Sequence, residues 1–197
     1  MIHKTIQPKI LYYGNPVILL TTINENGTTN ISPISSSWAL DHLLVIGLGT
    51  DGKAYENLKQ RGECVLNVPG PELWEHVEKL AVCTGKETVP PGKAAYGCVY
   101  VKDKFEAAGL RRKTSAVVNA DAIAECPLQI EGKIRYMREP EYMEGIVITE
   151  IEAVAIHAQE DILKEEHHID PRKWSPLIYN FRHYFGLGKE LGKTARA

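Results

Sequence analysis

The pair Asn26-Gly27 separates two runs rich in β-branched residues and constrains the fold more than any other feature of the chain. The run before it is PVILLTTI, residues 16–23, and the run after it extends from Thr28 to Ser32. Asn-Gly is a preferred centre of two-residue turns, because both residues tolerate a positive φ. The pattern therefore predicts a β-hairpin, and with it an antiparallel arrangement at the start of the fold.

Length and charge limit the remaining choices. A chain of 197 residues predicts one domain over 1–197, and its net charge of -2 leaves no basic field for a nucleic acid. No run approaches the roughly 18 apolar residues of a membrane span, and the first residues lack the apolar segment of a signal peptide. We therefore expect a cytoplasmic protein with no membrane and no nucleic-acid partner. The four widely spaced cysteines predict free thiols, mostly buried.

Two helices are predicted in the first half of the chain. The first covers 52–61, with Thr50 or Asp51 as N-cap and Gly62 after its end. The second begins at Pro71, and we expect its apolar positions to face the core. These positions are Leu73, Trp74, Val77, Leu80 and Ala81. Further strands are predicted at 43–47, 64–68, 128–136 and 146–158.

Two later segments do not follow these patterns. Residues 84–100 are rich in Gly, Pro and Lys and predict a long surface loop. Loops of this length are uncommon in compact domains unless they have a function such as covering a site. Residues 170–185 are rich in aromatic side chains, which favours core or dimer packing and ligand contact about equally.

Three glycines, Gly47, Gly49 and Gly52, spell G-x-G-x-x-G after an apolar strand. A dinucleotide-binding fold is disfavoured, because a hairpin precedes the motif and little helical pattern follows the second helix. Lys53 in the first turn of a helix is unfavourable by roughly 0.3 to 1 kcal/mol unless an anion binds there. We expect a phosphate site made by the glycine backbone, Thr50 and Lys53, with a tight turn and a solvated lysine as the alternative.

The stretch NISPISSSW, residues 30–38, is a second candidate site. Ser35, Ser36 and Ser37 are poor core residues, because buried hydroxyl groups need hydrogen-bond partners. They suit the polar rim of a site for a flat heterocycle, with Trp38 covering apolar area. A solvent-exposed strand edge is the alternative interpretation.

The order of several motifs resembles the flavin reductase-like family, the FMN-binding split barrels, and within it flavoredoxin and nitrilotriacetate monooxygenase component B. The resemblance covers about residues 15–188, and it is the succession of motifs, more than any one of them, that makes it specific. The motifs are NISP at 30–33, SSS at 35–37, VIGLGT at 45–50, KAYENL at 53–58, ECVLNV at 63–68, KFEAAGL at 104–110 and IAECPLQIE at 123–131.

The resemblance implies a mainly β fold, a six-stranded antiparallel Greek-key barrel with small flanking helices. It also implies a homodimer that binds FMN near the subunit interface. Residues expected to line the flavin ring are Ser35, Ser36, Ser37 and Trp38, with Asn30 as a further cofactor contact. Residues expected to hold the phosphate and ribityl chain are Gly49, Thr50, Lys53 and Asn57. From the C-terminal segment, Tyr184, and with it His183, is expected to approach the flavin.

The implied chemistry is transfer of a hydride from NADH or NADPH to flavin N5, in which the cofactor supplies the reactivity. No catalytic side chain is predicted, and a separate monooxygenase is a candidate partner. Many active reductases of the family carry Gly-Asp-His before the penultimate long strand, where this chain has Met143-Glu144-Gly145. This departure leaves open a flavoredoxin-like electron carrier that keeps FMN bound. A barrel for another planar ligand, such as haem or a pyridoxal compound, is a third alternative.

No metal site is predicted from the histidines. His167 and His168 follow two glutamates in a polar stretch, and His157 lies in a predicted strand. None of them has the paired spacing of zinc ligands, so a solvated loop is the favoured interpretation for the first two.

Overall fold

The structure, a computed structural model, describes residues 1–194 and is mainly β. Its strands are β1 (Tyr13–Pro16), β2 (Ile18–Ile23), β3 (Thr29–Ile34), β4 (Ser37–Leu40), β5 (Leu43–Gly49), β6 (Glu63–Val68), β7 (Cys83–Thr84), β8 (Val99–Tyr100), β9 (Arg112–Lys113), β10 (Ala122–Ile123), β11 (Leu128–Arg138), β12 (Ile146–Ala158), β13 (Leu163–Glu165), β14 (His168–Ile169), β15 (Ile178–Asn180) and β16 (His183–Phe185). Its helices are α1 (Lys53–Arg61), α2 (Trp74–Ala81), α3 (Pro91–Ala94) and α4 (Lys104–Ala108), with 3-10 turns at Pro71–Leu73 and Glu160–Ile162.

The predicted hairpin is confirmed as β2 and β3, which pair from Ile18 opposite Ile34 to Ile23 opposite Thr29. The two-residue turn is wrong, because the loop is longer and only Gly27 in it has a positive φ, 79°. Backbone bonds from Asn24 N–H to the Thr28 carbonyl (2.7 Å) and from Gly27 N–H to the Asn24 carbonyl (3.1 Å) close it. This is the three-residue type of hairpin with a glycine in the left-handed region.

Seven strands form one antiparallel sheet in the order β3-β2-β6-β11-β12-β5-β4. β3 and β4 are its two edges, yet only Ser35 and Ser36 separate them in the chain. A flat sheet with strands about 4.8 Å apart would place these edges about 29 Å apart. Three residue steps span at most about 11 Å, so the sheet must curl until its edges meet.

The curled sheet confirms the predicted split barrel with small flanking helices. It contains seven strands, one more than the six expected. The chain leaves the hydrogen-bond ladder at Ser35-Ser36, so β3 and β4 are separate strands of the sheet.

Strand β2 is buried on both faces, which explains why its sequence is almost continuously apolar. On one face, Ile18 and Leu20 pack with Leu66 and with Leu58 of α1. On the other face, a second cluster lies between the sheet and the helices α2 and α4. This second cluster includes Leu19, Ile31, Val77, Leu80, Phe105 and Leu177.

Helix α1 begins one residue later than predicted. Its N-cap is Gly52 in an extended conformation with no side-chain capping bond, so the prediction of Thr50 or Asp51 as N-cap is wrong. The predicted end is confirmed, because Gly62 has φ 67° and donates its N–H to the Leu58 carbonyl. In the part of the chain described, no helix is long and apolar enough to cross a lipid bilayer.

The predicted apolar face of the second helix is partly wrong. Leu73, Val77 and Leu80 are buried, but Trp74 is 46% exposed and Ala81 is also exposed. The Pro71–Leu73 turn is a 3-10 helix, so the α-helical rotation starts only at Trp74 and turns that residue away from the core.

The segment 84–100, predicted as a surface loop, contains regular structure. Helix α3 lies within it, and β7 and β8 flank it as a parallel pair with Cys83 opposite Val99. All four cysteines are free, as predicted, but only Cys64 and Cys126 are buried. The expectation of mostly buried thiols therefore holds for two of the four.

A buried carboxylate fixes the segment that follows β9 onto the sheet. Glu131 is fully buried in β11 and accepts hydrogen bonds from the N–H groups of Ala116 (2.7 Å), Val117 (2.7 Å) and Val118 (2.9 Å). His157 Nε2 lies 2.7 Å from the same carboxylate. Burial raises the pKa of Glu131, but these four bonds outweigh burial and hold the pKa below its usual value.

We expect Glu131→Gln to lower the free energy of unfolding by about 3 kcal/mol at neutral pH, because an amide nitrogen then faces backbone N–H donors. The carboxylate stabilises the fold above its unfolded pKa of 4.5 and loses this effect as the pH falls through the lower folded pKa. Urea unfolding at several pH values should therefore show a steeper acid loss in the parent protein than in the variant.

Glu152→Gln is the matched control. Glu152 lies on β12, forms a partly exposed ion pair with Arg135, and should contribute at most about 1 kcal/mol. Equal destabilisation by the two substitutions would contradict the role assigned to Glu131.

Candidate functional site

Two cavities adjoin between β3, the start of α1 and the segment 84–104. Their volumes are about 530 and 330 Å³, and Lys53, Gly85 and Lys104 line both. We call the two cavities together the lysine cleft. Within residues 1–194, no carboxylate lines the smaller cavity, whereas Glu25 and other acidic side chains line the larger one. Residues 84–100, which the sequence predicts as a loop with a function such as covering a site, line part of both cavities. We call them the covering segment.

Lys53 is the first residue of α1 and has a largely buried side chain, 13% exposed. Its ammonium donates to both carboxylate oxygens of Glu25, at 3.0 and 2.8 Å, and lies 3.6 Å from Glu56. The bond from Lys53 is the main reason that the pKa of Glu25 is lowered. The alternative of a solvated lysine is therefore wrong, because two carboxylates balance the charge at the helix start.

Asn30 and Gly85 bring the covering segment into contact with β3. A Cβ atom on Gly85 would lie 2.5 Å from Asn30 Oδ1 and 3.1 Å from Lys53 Cγ, so only glycine allows this approach. Asn30 Nδ2 donates to Ser32 Oγ at 3.1 Å. Its buried Oδ1 has no hydrogen-bond partner within residues 1–194. Asn30 lines the larger cavity, where a donor on a ligand can satisfy that oxygen.

Lys104 is a second buried ammonium in the cleft and was not among the predicted site residues. It is only 3% exposed, and its Nζ donates to the Ile31 carbonyl at 2.8 Å. Burial lowers its pKa from 10.5 to about 8. An ammonium has three N–H donors, so Lys104 has capacity for an anionic or carbonyl acceptor.

The turn that carries the glycine motif is held by its neighbours. Thr50 N–H donates to the Gly145 carbonyl at 3.0 Å, and Gly52 N–H donates to the Gly49 carbonyl at 3.2 Å. Lys93 of the covering segment lies 3.8 Å from Asp51, which brings a third lysine to this turn. Lys93 is not among the predicted site residues, although the segment 84–100 that contains it is rich in Gly, Pro and Lys.

The serine run lies where the two edges of the sheet meet. Ser36 Oγ and the Tyr12 hydroxyl are 2.7 Å apart, and Gly47 N–H donates to the Ser36 carbonyl at 2.8 Å. A Cβ atom on Gly47 would lie 3.2 Å from Ser36 Cβ, which explains the first glycine of the motif. Ser35, Ser36 and Ser37 are half-buried, but Trp38 on the edge strand β4 is 54% exposed.

Asn57 lies behind the cleft and does not line it. Its side-chain amide is buried and donates to Thr22 Oγ1 at 3.0 Å and to Asn24 Oδ1 at 2.8 Å. It therefore ties α1 to the hairpin that carries Glu25. The structure supports a positioning role for Asn57 within this arrangement.

Tyr184 and His183 line a separate cavity of about 550 Å³. Tyr184 donates its hydroxyl to Glu78 at 2.7 Å, and burial together with that carboxylate raises its pKa. Its ring packs 6.4 Å from Trp74 and 5.5 Å from Tyr179. The ring of Tyr179 in turn packs 5.5 Å from that of Tyr12, whose hydroxyl contacts Ser36, so these rings link the aromatic tail to the serine run.

Comparison with known sequences identifies the family of the chain. The family described as "Flavin reductase like domain" matches residues 11–188. Protein YdfE of Bacillus subtilis is 55% identical over 194 residues, which cover 98% of this chain and 94% of that protein. A protein of Methanothermobacter thermautotrophicus is 28% identical over 169 residues, with 83% of this chain and 73% of that protein covered.

Solved structures share the fold. Flavoredoxin of Desulfovibrio vulgaris superposes with a TM-score of 0.81 at 21% identity, covering 100% of this chain and 99% of that one. Nitrilotriacetate monooxygenase component B of Bacillus cereus superposes with a TM-score of 0.72 at 18% identity, covering 94% and 89%. The family match spans most of the chain, and the protein therefore belongs to the flavin reductase-like family.

Proposed function

We propose that the protein binds flavin mononucleotide in the lysine cleft and transfers a hydride to it from NADH or NADPH. The observation that carries this proposal is the buried Lys53 ammonium at the start of α1, where the cleft, the glycine turn and the covering segment meet. The family match supports a flavin as the ligand. A single phosphate is favoured because the main sheet is antiparallel and has none of the parallel strand–helix–strand units of a dinucleotide-binding fold.

The polar groups of the cleft fit a flavin nucleotide. Lys53 and Lys93 supply positive charge beside the turn that contains Gly49 and Thr50, which suits the phosphate. Asn30 Oδ1, which lacks a partner within the described residues, suits an N–H or O–H of the ligand. Ser35, Ser36 and Ser37 line neither cavity; they are half-buried at the adjoining end of β3, and we assign them to the polar edge of the ring.

A bound flavin supplies the two-electron chemistry, and the residues of the chain hold and orient it. Glu25 takes two of the three N–H donors of Lys53, so a phosphate can use the third and gains more only if Glu25 gives up part of its bidentate contact. Glu25 is 63% exposed in its side chain and lies on the hairpin loop, so it can turn to solvent. Lys104 places a further cation in the same cleft.

Lys53→Ala should weaken FMN binding by about 1.5 to 3 kcal/mol, which is the range for a hydrogen bond to a charged group. This corresponds to an increase in Kd of about 10- to 150-fold. Titration of FMN with each protein, followed by quenching of flavin fluorescence, measures the change.

Two further variants sharpen this test. Lys59→Ala removes an exposed lysine of the same helix that does not line the cleft, and it should leave the affinity unchanged. Glu25→Gln removes the competing charge and should tighten binding. Equal weakening by the two lysine substitutions would contradict the assignment of the phosphate site.

On the side of the nicotinamide donor, Met143-Glu144-Gly145 stands where the resemblance implies a Gly-Asp-His motif. In the structure this stretch forms a turn in which Gly145 has φ 76° and accepts a hydrogen bond from Thr50. It therefore supports the glycine turn. A second candidate function is an electron carrier that keeps FMN bound, and the full-length superposition on flavoredoxin favours it.

Anaerobic mixing of the FMN-loaded protein with NADH, and separately with NADPH, distinguishes these two functions. A reductase should bleach the oxidised-flavin absorbance and turn over an excess of FMN. Absence of bleaching by either nucleotide, with FMN still bound, would contradict the reductase and favour a carrier that takes its electrons from a protein.

A homodimer and a monooxygenase partner belong to the same proposal. β4 is an edge strand, and its side chains Trp38 and Leu40 are 54% and 69% exposed. Apolar side chains on an unpaired edge favour association with a second copy. Sedimentation should therefore give twice the chain mass of 22.0 kDa, and a monomer would contradict the dimer.

The four free thiols favour a reducing compartment, the cytoplasm.

A further inference from the structure

Two thiols lie near the end of α2, in the wall of the lysine cleft. The Cys83 thiol donates to the Lys79 carbonyl at 3.0 Å, and the Cys98 thiol approaches the Ala81 carbonyl at 3.9 Å. Both side chains are partly exposed, and both line the smaller cavity. The two sulfur atoms therefore converge on the last turn of one helix.

The backbone holds these two residues at a separation that suits a disulfide. β7 and β8 pair in parallel with Cys83 opposite Val99, and Val99 N–H donates to the Val82 carbonyl at 3.0 Å. Cys98 precedes Val99 by one residue. A strand spacing of about 4.8 Å and a rise of about 3.3 Å then place the two Cα atoms about 6 Å apart. Disulfides form over Cα separations of about 4.4 to 6.8 Å.

Strand alternation does not turn the two side chains apart. In a regular strand, the residue before Val99 would point to the opposite face from Cys83. Cys98 lies outside β8, however, and follows Gly97, which has φ 75°. Both cysteines line the same cavity.

We propose that Cys83 and Cys98 form a reversible disulfide that closes the segment 84–97 over the lysine cleft, with hydrogen peroxide as the oxidant. One thiolate attacks a peroxide oxygen, the O–O bond breaks, and a sulfenic acid and hydroxide form. The second thiol attacks the sulfenic sulfur, the S–S bond forms, and water leaves. The two thiols lose two electrons and two protons, and one peroxide becomes two waters. A dithiol reductant reverses the reaction by exchange.

The surroundings of the pair include groups that favour thiol oxidation and a burial effect that opposes it. Lys93 and Lys104 line the same cavity, and within residues 1–194 no carboxylate does. Burial raises the pKa of the Cys83 thiol, and the charge of Lys104 opposes that effect. Positive charge and partial exposure are the conditions under which protein thiols are oxidised.

The other two cysteines serve as internal controls. Cys64 and Cys126 are 0% and 1% exposed, and burial raises the pKa of Cys64 to about 12. Burial also raises the pKa of Cys126. Neither thiol should react in the folded protein.

Closure of this segment bears on the cleft, because Gly85 and Lys93 lie between the two cysteines and contact Asn30, Lys53 and Asp51. A covalent link at the base of the segment restricts its opening, so a ligand beneath it should leave more slowly. This consequence rests on the proposed function, whereas formation of the bond does not.

The test uses the full-length protein without flavin, reduced and freed of reductant, then treated with stoichiometric hydrogen peroxide in mildly alkaline buffer. The intact mass should fall by about 2 Da as two thiols are lost. Trypsin cuts after Lys86 and Lys93, both inside the segment. Together with the cuts after Lys79 and Lys102, these cuts should leave fragments 80–86 and 94–102 joined by the disulfide in non-reducing mass spectrometry, and dithiothreitol should separate them. Alkylation should find Cys64 and Cys126 still free.

Cys83→Ser and Cys98→Ser are the matched variants. Each should lose the 2 Da shift and the joined fragments, and its remaining thiol should be trapped by dimedone as a sulfenic acid. The proposal is overturned if the parent protein keeps all four thiols, if the pair is oxidised only to sulfinic acids, or if the linkage joins two chains.

The effect on the cleft is measured separately. After loading with FMN, the oxidised protein should release flavin several-fold more slowly than the reduced protein, and dithiothreitol should restore the faster rate. An intact disulfide with an unchanged release rate would overturn the closure. A protein that forms the disulfide and does not bind FMN would instead contradict the proposed function.

Discussion

The structure depends on a constraint of chain connectivity, since the two edge strands of a seven-stranded sheet are joined through only Ser35 and Ser36. The sheet has to curl for its edges to meet, and the meeting point is also where β3, β5 and the start of α1 come together. Gly47 is needed at this seam because Ser36 leaves no room for a side chain. The serine run at this seam is polar for the same reason, since the backbone leaves the hydrogen-bond ladder there and needs other hydrogen-bond partners.

Charge in the cleft is arranged around ammonium groups that are held away from water. Lys53 is balanced by Glu25, whereas Lys104 has only a backbone carbonyl as its partner among the described residues. A buried cation without a carboxylate is unfavourable, and burial accordingly lowers the pKa of Lys104. An anionic ligand would offset this cost, so the groups that destabilise the fold are also those that would favour binding of the proposed nucleotide.

Local patterns predicted the elements of the fold well, and contacts between distant residues account for what they missed. The hairpin, the long late strands and the left-handed Gly62 follow from neighbouring residues alone. The pairing of Glu25 with Lys53 depends on where the hairpin loop meets α1, which no local pattern contains. Lys104 is an exception, because it is the first residue of a helix, as Lys53 is. The argument that a lysine is unfavourable at a helix N-terminus without an anion therefore applies to Lys104 as well, and it is a local signal.

The choice between an exchanging reductase and a flavin-retaining carrier is physically a question about the covering segment. That segment contacts the cleft through Gly85 and Lys93, and the ladder at its base is only two residues long on each side. Short ladders with exposed hydrogen bonds open locally at low free energy, which suits a flavin that enters and leaves as a substrate. A Cys83–Cys98 bond would replace that weak ladder with a covalent one. One polypeptide could then exchange flavin when its thiols are reduced and retain it when they are oxidised.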